Sequence, residues 1–209
     1  MLASLLLRIG AFTPIVYYGV LIAASLAWPG FNHMTSQISE LGTAASPQHQ
    51  MFNYGLMATG GLAILGGLGA VLGMRRLGSG IVIPALAFIA IALGGGALIM
   101  AGLHPTPDPL HNAHNLGLAI LAAPLLMFLG LSDRSDMSGV KTVLILSFIA
   151  GIGLLGVMLN WGHFNVMTPA NSGLVQRAQT LTVFPWMGLA FLGLAQRLAA
   201  RERKKREGY

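Results

Sequence analysis

The chain has 209 residues, of which 55% are apolar and 9% charged, and its mean hydropathy is +0.71. In a soluble globular domain about a quarter of the residues would be charged, so the composition excludes that class and predicts an integral membrane protein. The net charge of +6 does not indicate nucleic-acid binding, because the basic residues flank apolar segments, as they do in proteins oriented in a membrane. The sequence contains no cysteine, which excludes disulfides and thiolate metal ligands.

Six apolar segments are long enough to cross a bilayer, which takes about 20 residues of helix. They cover residues 8–28, 51–74, 81–103, 110–131, 140–161 and 174–198. The predicted fold is therefore all-α, a polytopic bundle of six transmembrane helices in one domain over residues 1–200. A basic cytoplasmic tail follows over 201–209. The first segment is longer than the roughly 7–15 apolar residues of a signal peptide, so we expect it to be retained.

The basic residues lie almost entirely at one set of helix ends, with Arg177 as the exception. By the positive-inside rule, both termini are predicted to be cytoplasmic. All six histidines, together with Glu40, Asp108 and Arg177, then fall on the outer side. Any functional site is expected on that side.

Two outer loops resemble each other in sequence. Residues 28–41 align without gaps on residues 161–174, and seven of the fourteen positions are identical. Parallel repeats are a known membrane architecture, so the match predicts a duplication of helices 1–2 and 5–6, with Phe31 matching Phe164. Chance matching in a biased composition is the alternative.

A polar stretch at residues 104–115 interrupts the apolar sequence. Asp108, His111 and His114 follow one another at intervals of three at the predicted start of helix 4, where such neighbours can converge on one ligand. Imidazole and carboxylate groups together suit a divalent metal such as zinc, with one position left for water. In the alternative interpretation, Asp108 caps the helix and the histidines face lipid head groups and water.

Glu40 and Arg177 are the other opposite charges of the outer side. Because an unpaired charge beside an apolar helix is costly, the two are expected to form an ion pair. Alternatively, Arg177 binds a phosphate or carboxylate, which its guanidinium matches in geometry. Ser39 precedes Glu40 and would either contact a ligand or bond to the local backbone.

Five short motifs stand out along the chain: Ile38-Ser-Glu-Leu-Gly42, Ser46-Pro47, Asn53-Tyr-Gly55, His104-Pro-Thr-Pro-Asp108 with His114, and Gly173-Leu-Val-Gln-Arg177. With these motifs the chain resembles Domain of Unknown Function 998, a family of six-helix prokaryotic membrane proteins. The resemblance covers nearly the whole chain. It implies a location in the prokaryotic cytoplasmic (inner) membrane and marks Ser39, Glu40, Asp108, His114 and Arg177 as characteristic polar positions. It implies no activity.

Three classes of function fit these residues. In the first, the protein is an enzyme acting on a lipid-like substrate, with His114, Asp108 and Glu40 as catalytic groups, and zinc or a carboxylate activating water. Arg177 and Ser39 would bind the substrate. In the second, the protein binds or transports an anionic or amphiphilic molecule without chemistry. In the third, it is a structural or assembly subunit. The partners expected in all three are membrane lipids.

Overall fold

The computed structural model describes the backbone of residues 1–163 and 165–207, and the side chains of the same residues except 112–115. Within this part the protein is entirely helical, with eight α-helices and four 3-10 helices. The α-helices are α1 Leu2–Gly10, α2 Thr13–Leu26, α3 His49–Arg76, α4 Val82–Leu103, α5 Ala123–Gly130, α6 Ser138–Met158, α7 Ser172–Val183 and α8 Pro185–Arg206. The 3-10 helices are Ile38–Gly42, Pro109–Ala122, Ser135–Met137 and Trp161–His163.

Six helical stretches among the described residues are long and apolar enough to cross a membrane. They are Leu2–Leu26, His49–Arg76, Val82–Leu103, Pro109–Gly130, Ser135–Met158 and Ser172–Arg206. The predicted all-α membrane bundle is confirmed. The division into a domain over 1–200 and a tail stays a prediction, and α8 continues as helix to Arg206.

Two of the spans contain breaks that the hydropathy pattern did not predict. Ala11 and Phe12 separate α1 from α2, ahead of Pro14, and Pro185 begins α8 directly after α7. Proline lacks a backbone N–H and clashes with the preceding turn, so it frees a carbonyl that needs another donor. At the first break the hydroxyl of Thr13 donates to the carbonyl of Gly10 at 2.6 Å.

The charged helix ends meet at one end of the bundle, which we call the basic end. Glu202 pairs with the amino group of Met1 at 3.4 Å and with Arg76 at 3.7 Å. Arg134 donates to the carbonyl of Leu77 at 3.2 Å. The loops that carry Glu40 and Asp108 follow the opposite helix ends, so they lie at the other end. That the basic end faces the cytoplasm stays a prediction.

Close packing of glycines brings the helices together. A Cβ atom on Gly66 would lie 2.7 Å from Cδ2 of Phe191 and 2.9 Å from Cα of Gly10, so only glycine fits between α1, α3 and α8. Gly69 makes a similar contact, because a Cβ atom there would lie 2.8 Å from the backbone nitrogen of Leu7. Gly153 makes no such contact with the described residues, since a Cβ atom there would meet open space.

The two aligned outer segments differ in local structure. Ile38–Gly42 is a short 3-10 helix, whereas the aligned residues 171–175 contain the start of α7. Phe164, the expected match of Phe31, lies outside the described residues. The duplication stays a prediction.

Candidate functional site

The connection between α2 and α3, which we call the first polar loop (residues 28–48), is fastened to the start of α7. Five hydrogen bonds join them: Leu174 N to the Met34 carbonyl (3.1 Å), Ser172 Oγ to the Thr35 carbonyl (3.1 Å), Arg177 Nη1 to the Ser36 carbonyl (2.9 Å), Arg177 Nε to His33 Nδ1 (3.0 Å) and Ile38 N to Gln176 Oε1 (2.6 Å). Both partners in each bond are more than 100 residues apart in sequence. These bonds hold residues 34–38 in one place against α7.

Arg177 contributes most to this attachment. Its Nη1 also donates to the carbonyl of Gly173 at 2.7 Å, and its Nε donates to Nδ1 of His33 at 3.0 Å. The guanidinium lies over the ring of Phe31, 5.3 Å from the centroid. Its Nη2 is buried and makes no hydrogen bond in the described part of the chain. All of these contacts are with neutral groups.

The expected ion pair between Glu40 and Arg177 is not formed by the described residues. Glu40 instead accepts a hydrogen bond from the backbone nitrogen of Gln37 at 2.7 Å and completes a capping box on the 3-10 helix Ile38–Gly42. The physical reason is competition. Nη1 of the guanidinium donates to two backbone carbonyls, while Glu40 accepts from a backbone donor that the short helix would leave unpaired.

Glu40 lines a pocket of about 520 Å³, which we call the Glu40 pocket. Its polar lining residues carry hydroxyl, amide and carboxylate groups, and they are Thr35, Gln37, Glu40, Asn160, Asn165, Thr168 and Ser172. The apolar lining residues are Val157, Met158, Met167 and Pro169. The pocket thus lies between the first polar loop and the connection between α6 and α7, which we call the second polar loop (residues 159–171).

A smaller pocket of about 240 Å³ adjoins the Glu40 pocket. We call it the Trp161 pocket, and it is lined by Gly153, Gly156, Val157, Asn160, Trp161 and Val166. Val157 and Asn160 line both pockets. Trp161 and Val166 are 57% and 52% exposed, so the smaller pocket opens on an apolar part of the surface.

Asparagine side chains fix the shape of the second polar loop. Asn160 and Asn165 have φ angles of 54° and 48°, a left-handed conformation that asparagine tolerates better than most residues. Asn160 Nδ2 donates to Oδ1 of Asn165 at 2.9 Å, and the backbone nitrogen of Asn165 donates back to Oδ1 of Asn160 at 2.7 Å. Sequence reasoning missed these residues. The signal was available, because amides cluster between two apolar spans.

A second group of polar residues forms the proline turn (residues 104–111). The Asp108 carboxylate accepts from the backbone nitrogen of Leu110 at 2.8 Å, which confirms the predicted helix cap. Its other oxygen accepts from Nδ1 of His104 at 2.9 Å. The Leu110 N–H and then His104 hold the pKa of Asp108 below its ordinary value. Asp108 therefore orients His104, whereas the sequence suggested that it orients His111.

The proline turn also contains part of the predicted metal site. His111 Nδ1 lies 2.9 Å from the carbonyl of His104. Both oxygens of Asp108 are already engaged, and no group of three metal-ligating side chains occurs among the described residues. The side chain of His114 lies outside them. Zinc binding by Asp108, His111 and His114 stays a prediction.

The structure places the predicted site residues in two groups. Glu40, Ser39 and Arg177 belong to the first polar loop and its attachment, and Asp108 and His111 belong to the proline turn. Arg177, Ser39, Asp108 and His111 do not line the Glu40 pocket. Half-buried Ser39 lies within the 3-10 helix Ile38–Gly42. The single shared pocket stays a prediction.

The fold and these loops define an integral membrane protein of six spans with polar residues gathered on the connections at one end. The family described as "Protein of unknown function (DUF998)" matches residues 11–199. The chain therefore belongs to this family, and the resemblance noted in the sequence is confirmed. No curated protein and no solved structure matches the chain.

Proposed function

We propose that the protein binds an amphiphilic molecule, a lipid or lipid-like compound, with its polar head group in the Glu40 pocket and its chain in the Trp161 pocket. The observation that carries the proposal is that the two pockets are adjacent and differ in polarity. One is rich in hydroxyl, amide and carboxylate groups, the other is mainly apolar, and they share Val157 and Asn160. An amphiphile has the same division between its two parts.

The size and polarity of the Glu40 pocket suit a small head group. A volume of about 520 Å³ lies within the range of roughly 300–1,000 Å³ found for ligand sites. Glu40 is the charged residue of its lining, accompanied by amides and hydroxyls. The pocket therefore favours a head group that donates hydrogen bonds or carries a positive charge over a purely anionic one.

The carboxylate of Glu40 is positioned to accept a hydrogen bond from such a head group. Its Oε1 accepts the hydrogen bond from Gln37, and this bond fixes the position of the carboxylate. Its Oε2 accepts no hydrogen bond from the described residues. Because the carboxylate is already fixed and one of its oxygens is available, it can accept a hydrogen bond from a head group with little reorganisation.

Membrane access supports the second half of the proposal. Trp161 and Val166, which line the Trp161 pocket, are 57% and 52% exposed. Tryptophan is enriched where the bilayer meets water, so the rim suits contact with lipid. A chain lying in this pocket would remain continuous with the bilayer while its head group reached Glu40.

An anionic ligand on Arg177 has less support. The guanidinium donates to two backbone carbonyls and one imidazole, and it lines neither pocket. These contacts favour a structural role in which Arg177 holds the first polar loop beside the pocket. Ser39, a predicted ligand contact, lines neither pocket either.

Hydrolysis of an amphiphile at the proline turn is a second candidate, favoured by the bond between Asp108 and His104. A carboxylate on Nδ1 fixes the tautomer and leaves Nε2 as the acceptor, which is how general-base histidines are oriented. The catalytic roles of His114, Asp108 and Glu40, with or without zinc, stay proposals. Release of fatty acid from added phospholipid by wild type, but not by His104→Ala or His114→Ala, would support this candidate.

The binding proposal is tested by native mass spectrometry of purified protein offered an equimolar mixture of phosphatidylethanolamine and phosphatidylglycerol. We expect wild type to retain the ammonium-bearing lipid preferentially. Glu40→Gln should lower its retention about tenfold, since a hydrogen bond to a charged group contributes about 1.5–3 kcal/mol. The matched control is Asp133→Asn, an exposed carboxylate at the basic end. Equal retention by wild type and Glu40→Gln would contradict the proposal.

A further inference from the structure

An apolar groove lies near the basic end, away from the Glu40 pocket. It runs between α1–α2 and α8 and encloses about 870 Å³. Its floor is a close helix contact, because a Cβ atom on Gly188 would lie 2.9 Å from Cγ of Pro14. A larger residue at position 188 would push the two helices apart.

The walls of the groove are apolar side chains that point away from the bundle. Phe12 and Ile15 on one wall are 56% and 64% exposed, and Leu189 and Leu192 on the other are 56% and 43% exposed. In a bilayer such walls contact lipid chains. Apolar contact alone does not select one lipid over another, because lipid tails are as apolar as leucine. Selectivity has to come from a polar group at the groove.

Arg8 supplies that group. It lines one end of the groove together with Gln196, while Tyr18 lines the other end. Arg8 is exposed and forms no ion pair with any described residue. Glu202, the acidic residue of the nearby helix end, is already paired with Met1 and Arg76 and does not neutralise it.

The length of the groove also fits a lipid. Tyr18 lies ten positions after Arg8, across the break between α1 and α2, and at 1.5 Å per residue this stretch extends at most about 15 Å. This is half of the roughly 30 Å hydrocarbon core, the depth of one leaflet. A lipid whose head group lies at Arg8 would therefore have room for its chain along the groove.

We propose that this groove binds one anionic phospholipid of the leaflet at the basic end, with its phosphate on Arg8 and Gln196 and an acyl chain between Phe12 and Leu192. The positive charge of Arg8 matches the negative head group. The amide of Gln196 adds a hydrogen-bond donor. This site is separate from the Glu40 pocket and does not depend on the function proposed for it.

The test is native mass spectrometry of the full chain with phosphatidylglycerol and phosphatidylcholine of equal chain length. We expect Arg8→Gln to lower retention of phosphatidylglycerol about fivefold, since one arginine near an anionic membrane surface is worth about fivefold in affinity. Retention of phosphatidylcholine should fall less, because its choline group already compensates the charge of the phosphate. Leu192→Trp, which fills the groove, should lower retention of both lipids. Each variant is first shown to melt at the wild-type temperature.

Arg75→Gln is the matched control, because Arg75 is exposed at the same end and does not line the groove. It should retain phosphatidylglycerol as wild type does. The proposal is overturned if Arg8→Gln retains phosphatidylglycerol like wild type. It is also overturned if Arg75→Gln lowers retention of phosphatidylglycerol as much as Arg8→Gln does. The attraction for the anionic lipid would then come from the basic end as a whole.

Discussion

Nη1 of Arg177 lies 2.9 Å from the carbonyl oxygen of Ser36, a residue 141 positions earlier in the chain. This hydrogen bond joins the sixth span to the loop that follows the first span. The loop carries Glu40, so the position of the carboxylate in its pocket depends on a guanidinium that does not line the pocket. Arg177 therefore contacts the loop that carries Glu40, and its predicted ligand binding stays a prediction.

Replacement of Arg177 by lysine keeps the charge and removes the planar set of donors. We expect the melting temperature to fall and amide hydrogens of residues 33–38 to exchange faster. The physical reason is the loss of hydrogen bonds from a charged donor, worth about 1.5–3 kcal/mol of unfolding free energy. Hydrogen exchange measured by mass spectrometry checks this, with Arg75→Lys as the control. Unchanged exchange in residues 33–38 would show that Arg177 does not hold the loop.

The proline turn should loosen in acid because of Asp108. Its folded-state pKa is lowered by Leu110 and His104, so its bonds stabilise the turn above the unfolded pKa and are lost as pH falls through the folded value. Exchange of amides in residues 104–111 should therefore rise below about pH 4. In Asp108→Asn the exchange should be fast at neutral pH and show no such acid step. An acid step that persists in Asp108→Asn would assign it to another group.

Packing at Gly66 gives a prediction about stability. Gly66→Ala should lower the unfolding free energy by about 1–3 kcal/mol, because the added methyl group would overlap the ring of Phe191 and the backbone of Gly10. Gly61→Ala is the control in the same helix, since a Cβ atom there meets open space. Thermal melting in detergent compares the two. If they melt alike, the helices adjust more readily than the contact distances indicate.

The positive-inside rule predicts that both termini are cytoplasmic. A reporter protein that is active only in the cytoplasm should be active when fused after Tyr209. The same reporter inserted next to Thr168, in the second polar loop, should be inactive. Activity of the inserted reporter together with inactivity of the terminal fusion would reverse the orientation and place the Glu40 pocket in the cytoplasm.

The spans were predictable from sequence because membrane crossing depends on length and hydropathy alone. The predicted segment 51–74 corresponds to the helix His49–Arg76, for example. The breaks at Pro14 and Pro185 had a sequence signal that hydropathy ignores. Ser46-Pro47, a possible capping side chain followed by a proline, predicts a helix start that the structure does not show. Helix α3 begins at His49 and the hydroxyl of Ser46 is buried without a partner, so Ser46 is not its cap.

The pocket was less predictable because it depends on contacts between distant segments. The sequence identified Glu40 as a site residue. It did not show that Arg177 would donate hydrogen bonds to backbone carbonyls instead of pairing with Glu40. Asn160 and Asn165 line the pocket only because the second polar loop adopts left-handed conformations at both residues. Asparagine tolerates these conformations, but the sequence alone does not show at which residues the loop adopts them.

The central claim, that one amphiphile occupies both pockets, is tested most directly by comparing a lipid with its head group alone. Binding of phosphatidylethanolamine and of chain-free glycerophosphoethanolamine is measured for wild type, Glu40→Gln and Gly153→Leu. Gly153 faces open space, so the leucine fills the Trp161 pocket without a clash, and Gly139→Leu is the control in the same helix. We predict that Glu40→Gln weakens both ligands, whereas Gly153→Leu weakens only the lipid. Lipid binding unaffected by Gly153→Leu, or head-group binding unaffected by Glu40→Gln, would contradict the account.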